Sequence, residues 1–149
     1  MKTLLVPLDS SVGTALVLSV AESLARSLPA KVVLFHAIEP ISSYVPVGAG
    51  MDVISTSPMP IEPEQVEDSK NRLEALAAPL RAAGIDVACE AVMGLAVTEI
   101  LDQARSLAAD YIVLGSHGHG AIYHLFGGSV VTGVLKHSPC PVVVVPVRG

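Results

Sequence analysis

Short apolar runs alternate with segments of helical period along this chain, and that alternation restricts the fold more than any other feature. Leu4-Leu5-Val6-Pro7-Leu8 is too short for a helix and apolar throughout, which predicts a strand buried on both faces. Val17, Leu18, Ala21, Leu24, Ala25 and Leu28 then recur at helical spacing until Pro29, and Asp9-Ser10-Ser11 offers caps for that helix. Lys31 to Ala37 reads as a second buried strand. Pro63 opens a second helix, with Glu64, Glu67 and Asp68 in the early turns where the helix dipole favours anions. Leu73, Leu76, Ala77 and Leu80 form its apolar stripe, and Gly84 ends it. Between Asp86 and Met93 polar and apolar residues alternate, the pattern of a half-exposed edge strand. Val97, Ile100, Leu101, Ala104, Leu107 and Ala108 share one face of a third helix, and Tyr111 to Leu114 is a fourth strand. Ser129 to His137 reads as a short helix burying Val130, Val131, Val134 and Leu135, before a fifth strand from Pro141 to Val147.

Strands separated by helices pair in parallel through right-handed crossovers. The expected class is therefore α/β, a doubly wound parallel sheet with helices on both faces. A chain of 149 residues is one domain's worth, and no repeat or shift of composition divides it, so a single domain over 1–149 is expected. Residues 38–62 interrupt the alternation with Pro40, Pro46, Gly48, Gly50, Pro58 and Pro60. A connection this long reads as a mobile loop, with a lid or a subunit contact as the alternatives.

Composition narrows the function. With 51% hydrophobic residues the chain escapes the signature of disorder, and at this length it buries a core without a metal or disulfide. No apolar run reaches 18 residues, and the opening apolar run is too short for a signal peptide, so a cytoplasmic protein without a membrane span is expected. Nine Lys and Arg against a net charge of −5 leave no nucleic-acid footprint, and 3% aromatics leave little for base stacking. Cys89 and Cys140 fit buried apolar positions better than a disulfide framework or a zinc site.

The chemical signal is Gly115-Ser116-His117-Gly118, followed by Gly128-Ser129. It begins where the fourth strand ends and finishes where a helix starts. Free backbone N–H groups and a helix dipole at such a place attract phosphate, and glycines let the backbone approach its oxygens. The Walker A lysine and the dinucleotide glycine order are both missing, so spacing alone leaves an ordinary turn open.

These residues resemble the universal stress proteins, in their ATP-binding branch. Gly115, Gly118, Gly128 and Ser129 match the family's G-x2-G-x9-G-[S/T] pattern. Val6-Pro7-Leu8-Asp9-Ser10-Ser11 matches its opening, and Ser138-Pro139-Cys140-Pro141-Val142-Val143-Val144-Val145 its ending. The resemblance implies a five-stranded sheet in the order 3-2-1-4-5 and a homodimeric, ATP-binding stress-response regulator or sensor. Nucleotide contacts would come from Pro7, Leu8 and Asp9, with Asp9 at the adenosine. His36 and Ala37, and the Met93-Gly94 turn, would border the adenine. Gly115, Ser116, His117, Gly118, His119, Gly128, Ser129 and Val130 would hold ribose and phosphates, with Mg²⁺ as a companion. Read as residues only, Asp9 also fits a helix cap and His36 a packed histidine.

No Lys or Arg lies between Arg105 and Lys136, where many family members carry a cation, and His119 and His124 stand in its place. A slow ATPase or nucleotidyl hydrolase, and a dimeric module that binds no nucleotide, are the competing functions. No catalytic or metal-ligating residue is expected. In the implied order the fifth strand is an edge, yet Val142–Val145 is apolar on both faces and carries no lysine. Such an edge needs covering, and the same strand of a second chain would cover it.

Overall fold

β1 (Lys2–Pro7) is the central strand of a parallel five-stranded sheet. It is followed by α1 (Thr14–Ser27), β2 (Ala30–Ile38), β3 (Ser42–Tyr44), β4 (Thr56–Pro58) and α2 (Pro63–Ala82). Then come β5 (Val87–Met93), α3 (Ala96–Ser106), β6 (Tyr111–Gly115), α4 (Val130–His137) and β7 (Val142–Val145). This computed structural model describes residues 1–9, 12–40, 42–44, 56–58, 63–116 and 130–147. The sheet order is β5-β2-β1-β6-β7, the 3-2-1-4-5 order expected of its five parallel strands. β2 pairs with β1 on one side and β6 pairs with it on the other.

The alternation of side chains along a strand divides the core into two layers. Leu4, Val6, Val32 and Leu34 pack against Val17, Ala21 and Ala25 of α1 and Leu73, Ala77 and Leu80 of α2. Leu5, Val33, Phe35 and Ile112 pack on the other face against Ile100, Leu101 and Ala104 of α3 and Val134 of α4. That double burial is why the central strands read as unbroken apolar runs.

Several boundaries differ from the sequence reading, each for a tertiary reason. α1 starts at Thr14, with Gly13 rather than Asp9 at the cap position. A Cβ on Gly13 would lie 2.4 Å from Val147 Cγ1, so the segment after β7 demands a glycine there. α3 ends at Ser106; beyond it Ala108 turns to a positive φ of 47° and is exposed, and Ala109 takes the buried place. α4 buries Val134 fully but leaves Leu135 54% exposed, and Val130 and Val131 are only half-buried. Residues 38–62 contain more than a loop: β3 and β4 pair antiparallel, Ser42 opposite Pro58. Ser-Ser-Tyr and Thr-Ser-Pro carry no apolar alternation that would reveal this.

β5 is an edge, as its alternating pattern predicts. Asp86 turns its carbonyl to β2, accepting from the Val32 N–H at 2.9 Å. Carbonyl direction alternates along a strand, so the Val87 carbonyl faces the open edge, where Arg81 donates to it from Nε (3.1 Å) and Nη2 (2.8 Å). A guanidinium, itself paired with Glu74, thereby blocks further strand addition at this position. Both cysteines are free; burial pushes the Cys89 thiol up to about 11 and raises that of Cys140.

At the N-terminal end of the sheet, Asp110 accepts from the Thr3 N–H at 2.8 Å and from Lys2 Nζ at 3.0 Å. The Thr3 hydrogen bond first, and Lys2 second, hold its carboxyl below the usual carboxylate range. A lowered carboxylate stabilises the fold above its unfolded value, about 3.9, and loses that contribution as pH falls through the folded value. Asp110→Asn is therefore expected to be less stable than wild type near neutral pH. The difference should close below about pH 4, read by denaturant unfolding across that range.

Candidate functional site

β1 and β6 are neighbours whose following helices pack on opposite faces of the sheet: α1 after β1, α4 after β6. Crevices form at such a reversal, outside the carboxyl ends of the strands. One is present here. Pro7, Leu8 and Asp9 line it from the end of β1, and Phe35, His36 and Ala37 from the end of β2. Leu114 and Gly115 close it from β6, Thr14 and Val17 from α1, Ala96 and Ile100 from α3, and Val130 from α4.

Thr14, Ala96 and Val130 are each the first residue of a helix. Three helix N-termini thus face one cavity, and each brings a partial positive charge from its dipole. They are not equivalent. At α3, Glu39 accepts the Ala96 N–H at 2.8 Å, so a carboxylate already answers that dipole. At α1 the cap residue is Gly13, which has no side chain to offer.

His36 Nδ1 lies 2.6 Å from the Leu8 carbonyl oxygen. A carbonyl only accepts, so Nδ1 is the donor in this hydrogen bond. Leu8 in turn donates its N–H to the Phe35 carbonyl at 2.8 Å, which continues the β1–β2 ladder past Pro7. His36 therefore serves as a brace between two strand ends and also forms part of the cavity wall. Gly115 permits a close approach: a Cβ there would sit 3.1 Å from Val17 Cγ2.

Of the residues selected from sequence, Pro7, Leu8, Asp9, His36, Ala37, Gly115 and Val130 come together around this cavity. Met93 and Gly94 do not line it. Met93 is 54% exposed, and Gly94, at a φ of +150°, donates its N–H to the Ile38 carbonyl at 3.0 Å. Ser116 sits just beyond β6, where its N–H donates to the Val145 carbonyl at 2.8 Å and its Oγ accepts the Val147 N–H at 2.9 Å. His117, Gly118, His119, Gly128 and Ser129 lie outside the described residues, as does His124. Thr14, Val17, Phe35, Ala96, Ile100 and Leu114 belong to the wall without having been selected. Phe35 and Leu114 adjoin selected strand-end residues. Val17 and Ile100 follow Thr14 and Ala96 by one helical turn, so correct helix starts would have revealed both pairs.

Among the described residues no helix is long and apolar enough to cross a membrane. The chain matches the Universal stress protein family over residues 1–146. It is 33% identical over 132 residues to Universal stress protein A homolog 2 of Coxiella burnetii, covering 87% of this chain and 83% of that protein. A universal stress protein of Thermus aquaticus is 31% identical over 150 residues, covering 97% of this chain and 98% of the relative. Among solved structures, a Methanocaldococcus jannaschii universal stress protein superposes with a TM-score of 0.73 at 23% identity, covering 99% and 97% of the two chains. A universal stress protein in complex with cAMP gives 0.70 at 22% identity, over 97% and 96% of the chains. One from Archaeoglobus fulgidus in complex with dAMP gives 0.67 at 21%, over 97% of each. The sheet order, the glycine pattern after β6 and the match over residues 1–146 agree: this chain belongs to the universal stress protein family.

Proposed function

We propose that the cavity at the carboxyl ends of β1 and β6 binds an adenine nucleotide, with ATP the first candidate. The protein would act in the cytoplasm as a homodimeric regulator whose conformation or partners follow the nucleotide in a stress response. The observation that carries this reading is the convergence of the first residues of α1, α3 and α4 on the cavity. An anion is the ligand that the dipoles of α1 and α4 favour, the one at α3 being answered by Glu39, and the glycine pattern immediately precedes α4 in sequence. Family relatives bound to cAMP and dAMP support adenine as the base. Asp9, an acceptor-only carboxylate on the wall, suits hydroxyl or amino donors of a nucleoside, while Gly115, Gly118, Gly128, Ser129 and Val130 would hold the phosphates. Mg²⁺ would neutralise part of their charge in a loop without lysine or arginine.

The test is direct. Protein stripped of small molecules is titrated with ATP and with GTP in a calorimeter, with and without Mg²⁺. Before stripping, absorbance at 260 nm and mass spectrometry read any nucleotide that co-purifies. Saturable ATP binding, with GTP weaker, supports the reading. No heat with ATP at millimolar concentration, from folded protein, rejects it.

The dimer would form through β7. This strand pairs with β6 on one side, and among the described residues nothing pairs on the other. Val144 is 37% exposed on it, and none of the residues Val142–Val145 is a lysine that would protect the open edge. Val143→Lys is expected to weaken self-association about 100-fold, the scale of losing one interface anchor. Sedimentation velocity across micromolar concentrations checks this, and a wild-type chain that runs as a monomer throughout removes the dimer.

A further inference from the structure

The geometry points to Thr14 as a nucleotide contact that the family pattern does not contain: its hydroxyl takes its hydrogen-bond partner from the ligand. The inference rests on the nucleotide reading of the cavity and goes beyond it by naming a residue on α1. Thr14 is the first residue of α1 and lines the cavity beside Asp9 and Val17. The residue is partly exposed, yet its Oγ1 is shut off from solvent and has no hydrogen-bond partner among the described residues. Among those residues it is the one buried side-chain polar atom in that condition.

A threonine at a helix start ordinarily supplies its oxygen as a cap. Here it stands one position too late to do so. Gly13 holds the cap position, and the Val17 N–H goes to the Gly13 carbonyl at 3.0 Å. The hydroxyl therefore contributes nothing local that valine, of nearly the same shape, would not supply at lower cost. A buried hydroxyl left unpaired is destabilising, so a partner must come from elsewhere. The cavity is where one can arrive. Threonine in a helix populates two χ1 wells, so the hydroxyl has rotameric freedom to meet an acceptor bound there. The dipole at the N-terminus of α1 favours an oxygen acceptor at this place, and a nucleotide's ribose and phosphate groups are rich in them.

The proposal predicts opposite signs for stability and affinity in one variant. Thr14→Val removes the unpaired hydroxyl and keeps the volume. Its ligand-free melting temperature should stand at or above that of wild type, while its affinity for ATP in calorimetry falls about tenfold. Thr14→Ser keeps the hydroxyl and should bind ATP within about threefold of wild type. Thr14→Val binding as tightly as wild type overturns the proposal and leaves the nucleotide reading standing. Thr14→Val losing stability and affinity together also overturns it, since the threonine then acts through packing. A wild-type protein that gives no ATP binding removes the nucleotide reading, and this inference with it.

Discussion

Phe35→Ala should cost about 3–5 kcal/mol of unfolding free energy, the range for deleting a large buried aromatic side chain. Phe35 is completely buried on β2, paired with Pro7 of β1 on one side and Glu90 of β5 on the other. It belongs to the layer formed by Leu5, Val33, Ile100, Leu101 and Val134, and it also lines the cavity. Alanine there joins the space left by the ring to the cavity, so the surrounding helices gain no contact that repays the loss. For a domain of this size the melting temperature should fall by roughly 10 °C. Phe35→Leu retains most of the apolar volume and should lose well under half as much. Urea unfolding of the three proteins measures both differences. A loss below about 1 kcal/mol for the alanine variant would mean that the strand end repacks freely, contrary to a close-packed layer.

Gly128→Val should reduce ATP affinity by about 100-fold or more, as expected when backbone N–H groups lose their approach to phosphate oxygens. Gly128 and Ser129 immediately precede Val130, which opens α4 at the cavity wall. A branched side chain would stand between backbone and anion in any site built on this stretch. Among the described residues the two core layers are made mainly from the strands and from α1 to α4. The sequence reads this stretch as a loop, so the unfolding free energy should stay within about 1 kcal/mol of wild type. Calorimetry with ATP on a variant shown to unfold cooperatively separates the two effects. Unchanged affinity in a folded Gly128→Val protein would place the phosphate site elsewhere.

The two predictions draw on different kinds of information. Phe35 was recognisable from sequence as a strand residue, because Lys31 to Ala37 is apolar enough to mark burial on both faces. That it also lines the cavity became visible only when β1, β2 and β6 were laid side by side. Gly128 was recognisable from spacing, because a glycine pattern between a strand and a helix has a chemical use that is independent of the rest of the fold. Asp9 was legible as a polar residue at a strand end. The cap position of α1 went instead to Gly13. His36 met its reading as a packed histidine by bracing Leu8, and it also lines the cavity.

What the sequence determined by itself is the class of fold, the number of parallel strands and the inner faces of most helices. Burial imposes a period of 2 on half-buried strands, unbroken apolar runs on central strands and a period near 3.6 on helices, and each period is written in consecutive residues. What the tertiary structure decided is where elements begin and which residues meet. α1 starts at Thr14, and its cap residue Gly13 lies where a Cβ would run into Val147. α3 has its N-terminal carboxylate from Glu39, 57 residues away, and Ser116 is held by Val147, 31 residues away. β3 and β4 pair through backbone groups that leave no mark on side-chain pattern. Thr14 joined the cavity because α1, α3 and α4 converge there. Contacts of this kind depend on the position of a distant segment in space, and local periodicity records only whether a residue is buried, never by what.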